Sequence, residues 1–280
     1  MQDDYCESLV RAADRDRFLS TLFAPSEHRA GLFALYAFNV EITRVREVAH
    51  GPLAGEIRLQ WWRDVIGGEG RGEVSAHPVA SALLAAIGRY RLPIELLNAL
   101  IDARRFDLYD EPMATLTALE RYAEDVASSL IALAAGVLAA GEEPPIAAVA
   151  REAGLAHALT GLLQAFAVHA ARGQLFVPIE VLERHGVDRN DVSAMRPSAP
   201  LRAALAELRA QARRHLAVAQ QAFATTPSVF VPALLPVAMV GPTLARMERG
   251  DALAPVEFAP WRRQWVIWRA ARRPARMFAA

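Results

Sequence analysis

The segment "ALYAFNVEITRVREV", Ala34 to Val48, decides how the fold and the function of this chain are interpreted. Its apolar residues recur with helical spacing, which predicts one helix over residues 27–49. Glu41 and Glu47 are six residues apart, about 600° around a helix, so they lie on different faces and are not expected to bind one metal ion together. Thr43 and Glu47 share a face, because residues four apart are neighbours on a helix surface.

The charged residues at the end of this segment are open to two interpretations. In the first, Glu47 pairs with Arg44 or Arg46 of its own helix and only stabilises the structure. In the second, Glu47 contacts a ligand or a partner protein. Arg44 carries the planar guanidinium group that binds phosphate oxygens directly, but a cation of this kind cannot be a ligand of a metal ion.

Two further groups of residues are candidates for a metal site. Asp107, Asp110 and Glu111 have the spacing of a metal-binding cluster or of the solvated end of a helix, and we favour the solvated end. His157 and His169 are twelve residues apart on one predicted helix, too far for a shared metal ion, which needs a spacing of three or four residues. Each histidine is therefore expected to be a satisfied residue of the core or its rim.

Nearly every other segment also shows helical periodicity, and the chain contains no convincing strand, hairpin or Gly-rich phosphate loop. Thr117 and Glu120 have the capping-box spacing, with Thr117 as the predicted N-cap. No linker is long or polar enough to divide the chain, so residues 1–280 are expected to form a single all-α domain. The predicted helices cover residues 5–23, 27–49, 55–67, 78–89, 93–110, 118–140, 145–171, 200–224, 229–249 and 257–273.

The composition limits the classes of protein to which this chain can belong. The chain has 280 residues, of which 53% are apolar, so it can bury a large core. All 31 basic residues are arginine and balance 31 acidic residues, so the net charge gives no reason to expect nucleic-acid binding.

Cys6 is the only cysteine, which excludes an intrachain disulfide and favours a cytoplasmic location. The N-terminus does not have the basic residues of a targeting segment, and the apolar run 126–141 is too short to span a membrane, so a buried helix is expected there.

The sequence resembles the squalene/phytoene synthase superfamily over almost its whole length. The resemblance rests on "YCESLVRAADRDRFLSTLFAPSEHRAGLFALYAFN" and "GLAHALTGLLQAFAVHAARGQLFVPIEVLERHGV". It implies a fold of the isoprenoid synthase type, an all-α helical bundle around a central cavity. In working members of the family, two aspartate-rich helices face each other across this cavity, and their carboxylates hold the Mg²⁺ that binds the substrate diphosphates.

The acidic positions of the family pattern fall on other residue types in this chain. On the first helix they coincide with Thr43, Arg44 and Glu47, of which only Glu47 is a carboxylate. On the second helix the pattern falls on residues 158–169, which contain no carboxylate. The resemblance therefore predicts a retained frame without catalytic residues and without a bound metal. The frame residues that still match the pattern are Gly154, Ala156, Thr160, Arg172, Gly173, Phe176 and Pro178.

Within the superfamily, "AFNVEITRVREV", "LQWWRDVI", "ERYAEDVASSLIAL" and "WRRQWVIW" most resemble the branch that contains a mitochondrial complex I assembly factor and its bacterial relatives. That branch is thought of as non-catalytic, so the cavity residues are expected to bind a ligand or a partner. The residues expected to do so are Asn39, Glu41, Thr43, Arg44, Glu47, Gln164, His169 and Arg172.

The segment from Trp261 to Ala280 contains six arginines and no acidic residue. The helix predicted there carries three tryptophans on one face. Either it docks with these tryptophans in the core, or it lies on an anionic membrane surface. In the second case, the residues expected to contact the membrane are Trp261, Trp265, Trp268, Arg262 and Arg269.

The resemblance implies a non-catalytic protein that acts in the assembly of respiratory complex I. Together with the C-terminal segment and the composition, it predicts a membrane-peripheral protein located in the cytoplasm at the inner membrane. Complex I subunits and the membrane surface are the expected partners, and nucleic acid is not. Two alternatives stay open. One is a head-to-head prenyl-diphosphate transferase with an altered phosphate site, which would need Mg²⁺. The other is a carrier with an isoprenoid or lipid in the cavity, which is compatible with the assembly role and needs no cofactor.

Overall fold

The computed structural model describes residues 2–70, 74–188, 191–192, 196–250, 253–254 and 256–278, and every regular element within them is helical. This confirms the expected all-α fold. Short 3₁₀ segments lie at Val74–Ala76, Ser228–Phe230, Leu235–Met239 and Pro274–Arg276. The α-helices are α1 (Gln2–Ala13), α2 (Arg15–Thr21), α3 (Ser26–Thr43), α4 (Val45–Val48), α5 (Pro52–Ile66), α6 (Pro78–Tyr90), α7 (Ile94–Phe106), α8 (Leu116–Ala123), α9 (Ser129–Leu138), α10 (Ala147–Gln164), α11 (Phe166–Ala171), α12 (Ile179–Arg184), α13 (Ala199–Phe223), α14 (Val231–Leu234), α15 (Val240–Arg249) and α16 (Pro260–Arg272).

Helix α3 runs through the middle of the fold. Every residue from 31 to 40 is buried, and Leu35 and Phe38 are fully enclosed. Helices α1, α6 and α9 pack around it. At Gly31 an added Cβ would lie 2.5 Å from the ring of Tyr90, so this position requires a residue without a side chain. A helix that is covered on all sides in this way belongs to the interior of a large core.

Two helices that were expected to be continuous are broken in the structure. The helix expected over 27–49 divides at Arg44, between α3 and α4, and the helix expected over 145–171 divides at Ala165, between α10 and α11. Arg44 (φ −86°, ψ −1°) and Ala165 (φ −90°, ψ 5°) both have the backbone angles of a turn. Each break changes the direction of the helix axis. Helical spacing therefore no longer predicts whether a residue before the break and a residue after it lie on the same face.

The helix expected over 118–140 begins earlier and contains an irregular turn. Its N-cap is Thr115, whose side-chain oxygen accepts a hydrogen bond from the Ala118 nitrogen, so the predicted cap at Thr117 is wrong. A π-helical turn at Glu124–Ser128 then separates α8 from α9. Such turns insert an extra residue into the helical ladder and often lie at functional sites.

Helix α10 packs directly against the π-helical turn. An added Cβ at Gly154 would lie 2.5 Å from the backbone nitrogen of Ser128, which leaves no space for a side chain. The Ser128 hydroxyl donates a hydrogen bond to the Arg151 carbonyl of α10 at 2.8 Å. The glycine and the wider turn therefore fit each other and hold α10 close to α8 and α9, the helices on either side of the turn.

The stretch Ser228–Arg249 is long and apolar enough to span a membrane by composition, but 78% of its most apolar window is buried inside the protein. The 3₁₀ segment Leu235–Met239 interrupts it, and it packs against α2, α9 and α10. The buried helix expected over 126–141 is confirmed as α9. Both stretches belong to one continuous core cluster that also contains residues of α1 and α16.

Candidate functional site

A cavity of about 750 Å³ lies between α3 and α4 on one side and α10 and α11 on the other. Helices α1, α2, α7 and α8 and the π-helical turn contribute to its lining. Leu9, Val126 and Leu162 are among its apolar residues. The cavity therefore combines apolar walls with charged groups. Its polar lining residues are Asp14, Arg17, Asn39, Thr43, Arg44, Glu47, Arg104, Tyr122, His157 and His169.

Five of the eight residues expected to bind a ligand or partner line this cavity, namely Asn39, Thr43, Arg44, Glu47 and His169. Arg172 joins them through an ion pair with Glu47. The other two are not part of the lining. Glu41 lies about 200° around α3 from Asn39 and so faces away from it. Gln164, at the end of α10, donates a hydrogen bond from Nε2 to the Val256 carbonyl at 2.7 Å.

The ion pair of Glu47 connects the two sides of the cavity. Glu47 Oε1 lies 3.1 Å from Arg172 Nη1, so the interpretation in which Glu47 pairs with Arg44 or Arg46 is wrong. Arg46 instead donates a hydrogen bond to the Asp107 carbonyl at 2.6 Å. Glu47 and Arg172 are each about half exposed, so their pair stabilises the fold by at most about 1 kcal/mol. Its main consequence is that the Glu47 carboxylate is already neutralised.

A second charged group, at the junction of α1 and α2, was not expected from the sequence. Asp14 divides the helix expected over 5–23 because its side chain caps α2, accepting hydrogen bonds from the backbone nitrogen of Arg17 (3.1 Å) and from its guanidinium group. Burial alone would raise the pKa of Asp14, but the charge and hydrogen bonds of Arg17 outweigh burial and lower it. Burial, reinforced by the charge of Arg17, lowers the pKa of the neighbouring His157 to about 4. His157 is therefore neutral at pH 7.

Asp107 belongs to a buried hydrogen-bonded group at the edge of the cavity, so its expected place at a solvated helix end is wrong. Its carboxylate accepts hydrogen bonds from Arg104 Nη1 at 3.1 Å and from the Tyr122 hydroxyl at 2.8 Å. The same Arg104 nitrogen also donates to the Tyr122 oxygen at 3.1 Å. The side chains of Arg104 and Asp107 are each only 13% exposed. Burial raises the pKa of Tyr122, so its hydroxyl keeps the proton that it donates.

Three buried polar atoms of cavity residues have no hydrogen-bond partner within the described part of the chain. They are Asn39 Oδ1, Arg104 Nε and His169 Nδ1. A buried polar group without a partner costs roughly 1–3 kcal/mol, so such groups are retained where something else supplies the partner. Burial also lowers the pKa of His169, whose ring centroid lies 4.7 Å from that of Phe176. The cavity thus offers both hydrogen-bond donors and acceptors next to apolar walls.

The sequence matches the profile of the squalene/phytoene synthases over residues 10–269. The chain belongs to the squalene/phytoene synthase family. Among its relatives, the human protein named NADH dehydrogenase (ubiquinone) complex I, assembly factor 6 is 30% identical over 249 residues, which cover 89% of this chain and 74% of the human protein. The phytoene synthase of Thermus thermophilus is 28% identical over 209 residues, which cover 73% of this chain and 69% of that enzyme.

Solved structures of synthases share the fold of this family member. A dehydrosqualene synthase superposes with a TM-score of 0.81 at 19% identity, covering 96% of this chain and 94% of that one. The squalene synthase of Alicyclobacillus acidocaldarius superposes with a TM-score of 0.77 at 22% identity, covering 91% of this chain and 95% of that one. The expected isoprenoid synthase-type fold is confirmed.

The described lining of the cavity contains few carboxylates. A Mg²⁺ site of the kind that the resemblance implies for working synthases needs anionic oxygens from both walls. The described lining contains two carboxylates, Asp14 and Glu47, and each is paired with an arginine. Within the same described residues, no group of three His, Cys, Asp or Glu side chains has a metal-binding arrangement. The wall of α10 and α11 presents Ala158, Gly161, Leu162, Ala165 and two histidines.

The C-terminal helix α16 exposes its three tryptophans. Trp261, Trp265 and Trp268 are 69%, 49% and 48% exposed, so the alternative in which they enter the core is wrong. The helix docks through its opposite side, where Ile267 and Ala270 are buried. The tryptophans therefore form an outward-facing apolar stripe on a helix that is itself firmly attached to the fold.

Proposed function

We propose that this protein is a non-catalytic member of the squalene/phytoene synthase family that acts in the assembly of respiratory complex I. The observation that carries the proposal is the similarity to the human complex I assembly factor, which extends over 89% of the chain at 30% identity. Proteins of the same name in rat and cow match over 88% and 89% of the chain. Complex I subunits are the partners that this function requires.

The chemistry of the cavity supports a function without prenyl transfer. Ionisation of an allylic diphosphate requires the charge of the leaving group to be neutralised, and Mg²⁺ held by carboxylates performs this task. In this chain the Asp14 carboxylate is bound by Arg17, and Glu47 is bound by Arg172. The remaining donors do not fit a Mg²⁺–diphosphate cluster. We therefore propose that the protein functions without a bound metal.

Incubation of the purified protein with farnesyl and geranylgeranyl diphosphate plus Mg²⁺, followed by analysis of the extracted lipids, tests the absence of synthesis. We expect neither squalene nor phytoene, nor their cyclopropyl intermediates. The phytoene synthase of Thermus thermophilus, assayed in parallel, serves as the positive control. Formation of any of these products would replace our proposal with the alternative, a prenyl-diphosphate transferase that holds the phosphates in another way.

The assembly function is tested separately, in cells from which this protein has been removed. We expect the amount of assembled complex I on native gels to fall, and to return when the wild-type chain is expressed. The other respiratory complexes, measured on the same gels, provide the control. An unchanged amount of complex I in the depleted cells would contradict the assembly proposal, whatever the outcome of the lipid analysis.

An isoprenoid or lipid in the cavity is compatible with this function, and the apolar walls and unpartnered polar atoms favour it. An added Cβ at Gly161 meets no atom within 4 Å, although the residue lines the cavity, so Gly161→Leu places an apolar side chain in the cavity. Gly88 on α6 is equally open but does not line the cavity, so Gly88→Leu is the matched control. Native mass spectrometry is expected to show a bound lipid in the control and not in Gly161→Leu. Equal occupancy in both variants would refute the carrier proposal.

The exposed face of α16 supports attachment to a membrane surface. Indole rings favour the boundary between headgroups and acyl chains, and the arginines beside them are attracted to anionic lipid. We expect sedimentation with anionic vesicles at low salt, with a blue shift of the Trp fluorescence, and release as salt rises. Deleting α16 would also remove the buried Ile267. The cleaner variant replaces Trp261 and Trp268 with serine. Replacing Leu53 and Ile57, an exposed apolar pair on α5, is the control.

A further inference from the structure

A second depression, of about 560 Å³, lies between α16, α15 and the 3₁₀ segment Leu235–Met239. We call it the arginine groove, because α15, α16 and the residues after α16 all contribute arginines to it. Its apolar lining includes Ala238, Pro242 and Val266. None of its lining residues is acidic. The arginines of the groove are Arg249, Arg262, Arg269 and Arg276.

Two charged neighbours of these arginines, Arg263 and Glu248, are already paired. Arg263 of α16 binds the Asp16 carboxylate, and Glu248 is bound by Arg213 through two hydrogen bonds of 2.6 and 2.8 Å. None of the four groove arginines has a carboxylate partner among the described residues. Four like charges in one depression create a strong positive potential, which attracts an anion of more than one charge.

Two of the groove arginines are held at separate places by aromatic rings. Arg262 lies over the ring of Phe258, with its Cζ 5.5 Å from the ring centroid, and Arg269 lies over Trp265 at 5.2 Å. They are seven positions apart on α16, about 10 Å along the helix axis. Because each guanidinium fork binds one phosphate through two parallel hydrogen bonds, the pair suits two phosphates better than one.

The groove also lies beside the tryptophan stripe. At about 100° per residue, Arg262 and Arg269 fall 80–100° around α16 from Trp261, next to the exposed indoles and away from the buried Ile267. Rings that enter the headgroup region would therefore bring the groove to the depth of the lipid phosphates. We infer that the arginine groove binds the headgroup of a phospholipid that carries two phosphates. This inference rests on the proposed membrane attachment and adds a lipid class to it.

The test compares the partition coefficients of the full chain on two kinds of phosphatidylcholine vesicle with equal total negative charge. One kind contains phosphatidylglycerol, with one phosphate, and the other contains cardiolipin, with two. We expect the wild-type chain to prefer the cardiolipin vesicles by about fivefold or more, since one basic contact is worth about that factor. R262Q/R269Q is expected to abolish the preference. Both side chains are exposed, and an unchanged melting temperature confirms that this variant folds.

The matched control is R272Q/R273Q, which removes the same charge from the same stretch of chain but outside the groove. This control is expected to lower binding to both kinds of vesicle by roughly 30-fold and to leave the cardiolipin preference intact. Equal binding of the wild-type chain to the two kinds of vesicle would overturn the groove inference and leave membrane attachment standing. A preference that survives R262Q/R269Q would also overturn the inference. Binding to neither kind of vesicle would overturn the proposed attachment as well.

Discussion

The substitution Asp107→Ala is expected to destabilise this protein far more than Asp110→Ala, although the two residues are three positions apart. The Asp107 carboxylate accepts hydrogen bonds from Arg104 (3.1 Å) and Tyr122 (2.8 Å), and all three side chains are largely buried. Asp110 is 69% exposed and pairs with Arg46 at 2.7 Å. Both substitutions remove a carboxylate, Asp107→Ala from a buried environment and Asp110→Ala from a solvated one.

The expected magnitudes follow from what each carboxylate leaves behind. Without Asp107, the buried guanidinium of Arg104 has no counter-ion, and breaking a buried pair in this way costs about 3–5 kcal/mol. Without Asp110, an exposed pair is lost, which costs less than about 1 kcal/mol. In a chain of this size 1 kcal/mol shifts the melting temperature by about 2–4 °C. We therefore expect a decrease of about 6–20 °C for Asp107→Ala and less than about 4 °C for Asp110→Ala.

Thermal unfolding followed by circular dichroism at neutral pH measures both decreases. A third variant isolates the cause. Adding Arg104→Met to Asp107→Ala removes the unpaired charge and is expected to restore part of the lost stability, because an apolar side chain tolerates the same buried site. Equal melting temperatures for the two single variants would refute the reasoning. So would a further decrease on adding Arg104→Met, since it would show that lost packing, not an unpaired charge, destabilises the protein.

Two further predictions concern α10. Gly154→Ala is expected to destabilise the fold by about 1–3 kcal/mol, because its Cβ would overlap the Ser128 backbone. Gly161→Ala, in open space on the same helix, is expected to stabilise the fold by about 0.5–1 kcal/mol. Urea unfolding measures the free energy of unfolding of both variants, and equal effects would contradict the close packing at Gly154. His157 titrates near 6.5 when unfolded but near 4 when folded, so the unfolded state binds its proton more readily and stability is lost as pH falls from about 6.5 to 4. The melting temperature of His157→Gln is expected to fall less than that of the wild type over this window, and identical profiles would exclude His157 as the cause.

The helical periodicity of the sequence predicted the fold class correctly, but local signals could not place every helix boundary. Thr115 and Thr117 are both good N-cap residues, and only the structure decides between them. The turns at Arg44 and Ala165 contain neither proline nor glycine, the usual helix breakers, so tertiary packing determines them. Asp14 is different, because a capping aspartate is a recognisable helix start and its position was available from the sequence.

The candidate site was predictable where residues lie close together in the chain and not where partners are distant. Asn39 and Glu47 were identified from one helix, and both line the cavity. The partner of Glu47 is Arg172, 125 residues away, a pairing that no helical spacing encodes. Asp107 was misjudged for the same reason, since the Tyr122 side chain that covers it belongs to another helix.

The apolar stretch Ser228–Arg249 is exposed during synthesis of the chain until other helices cover it. A nascent segment of this composition exposes a long apolar surface until the core forms around it, so slow packing prolongs the time in which it can aggregate or contact a membrane. Helices α2, α9 and α10, which cover the stretch, leave the ribosome before it does, whereas α16, which also contacts the Leu235–Met239 segment, follows it. A variant that slows the packing of α9 or α10 leaves this stretch uncovered for longer. The expected defect is misdirected or aggregated nascent protein, at a melting temperature that is unchanged in the molecules that do fold.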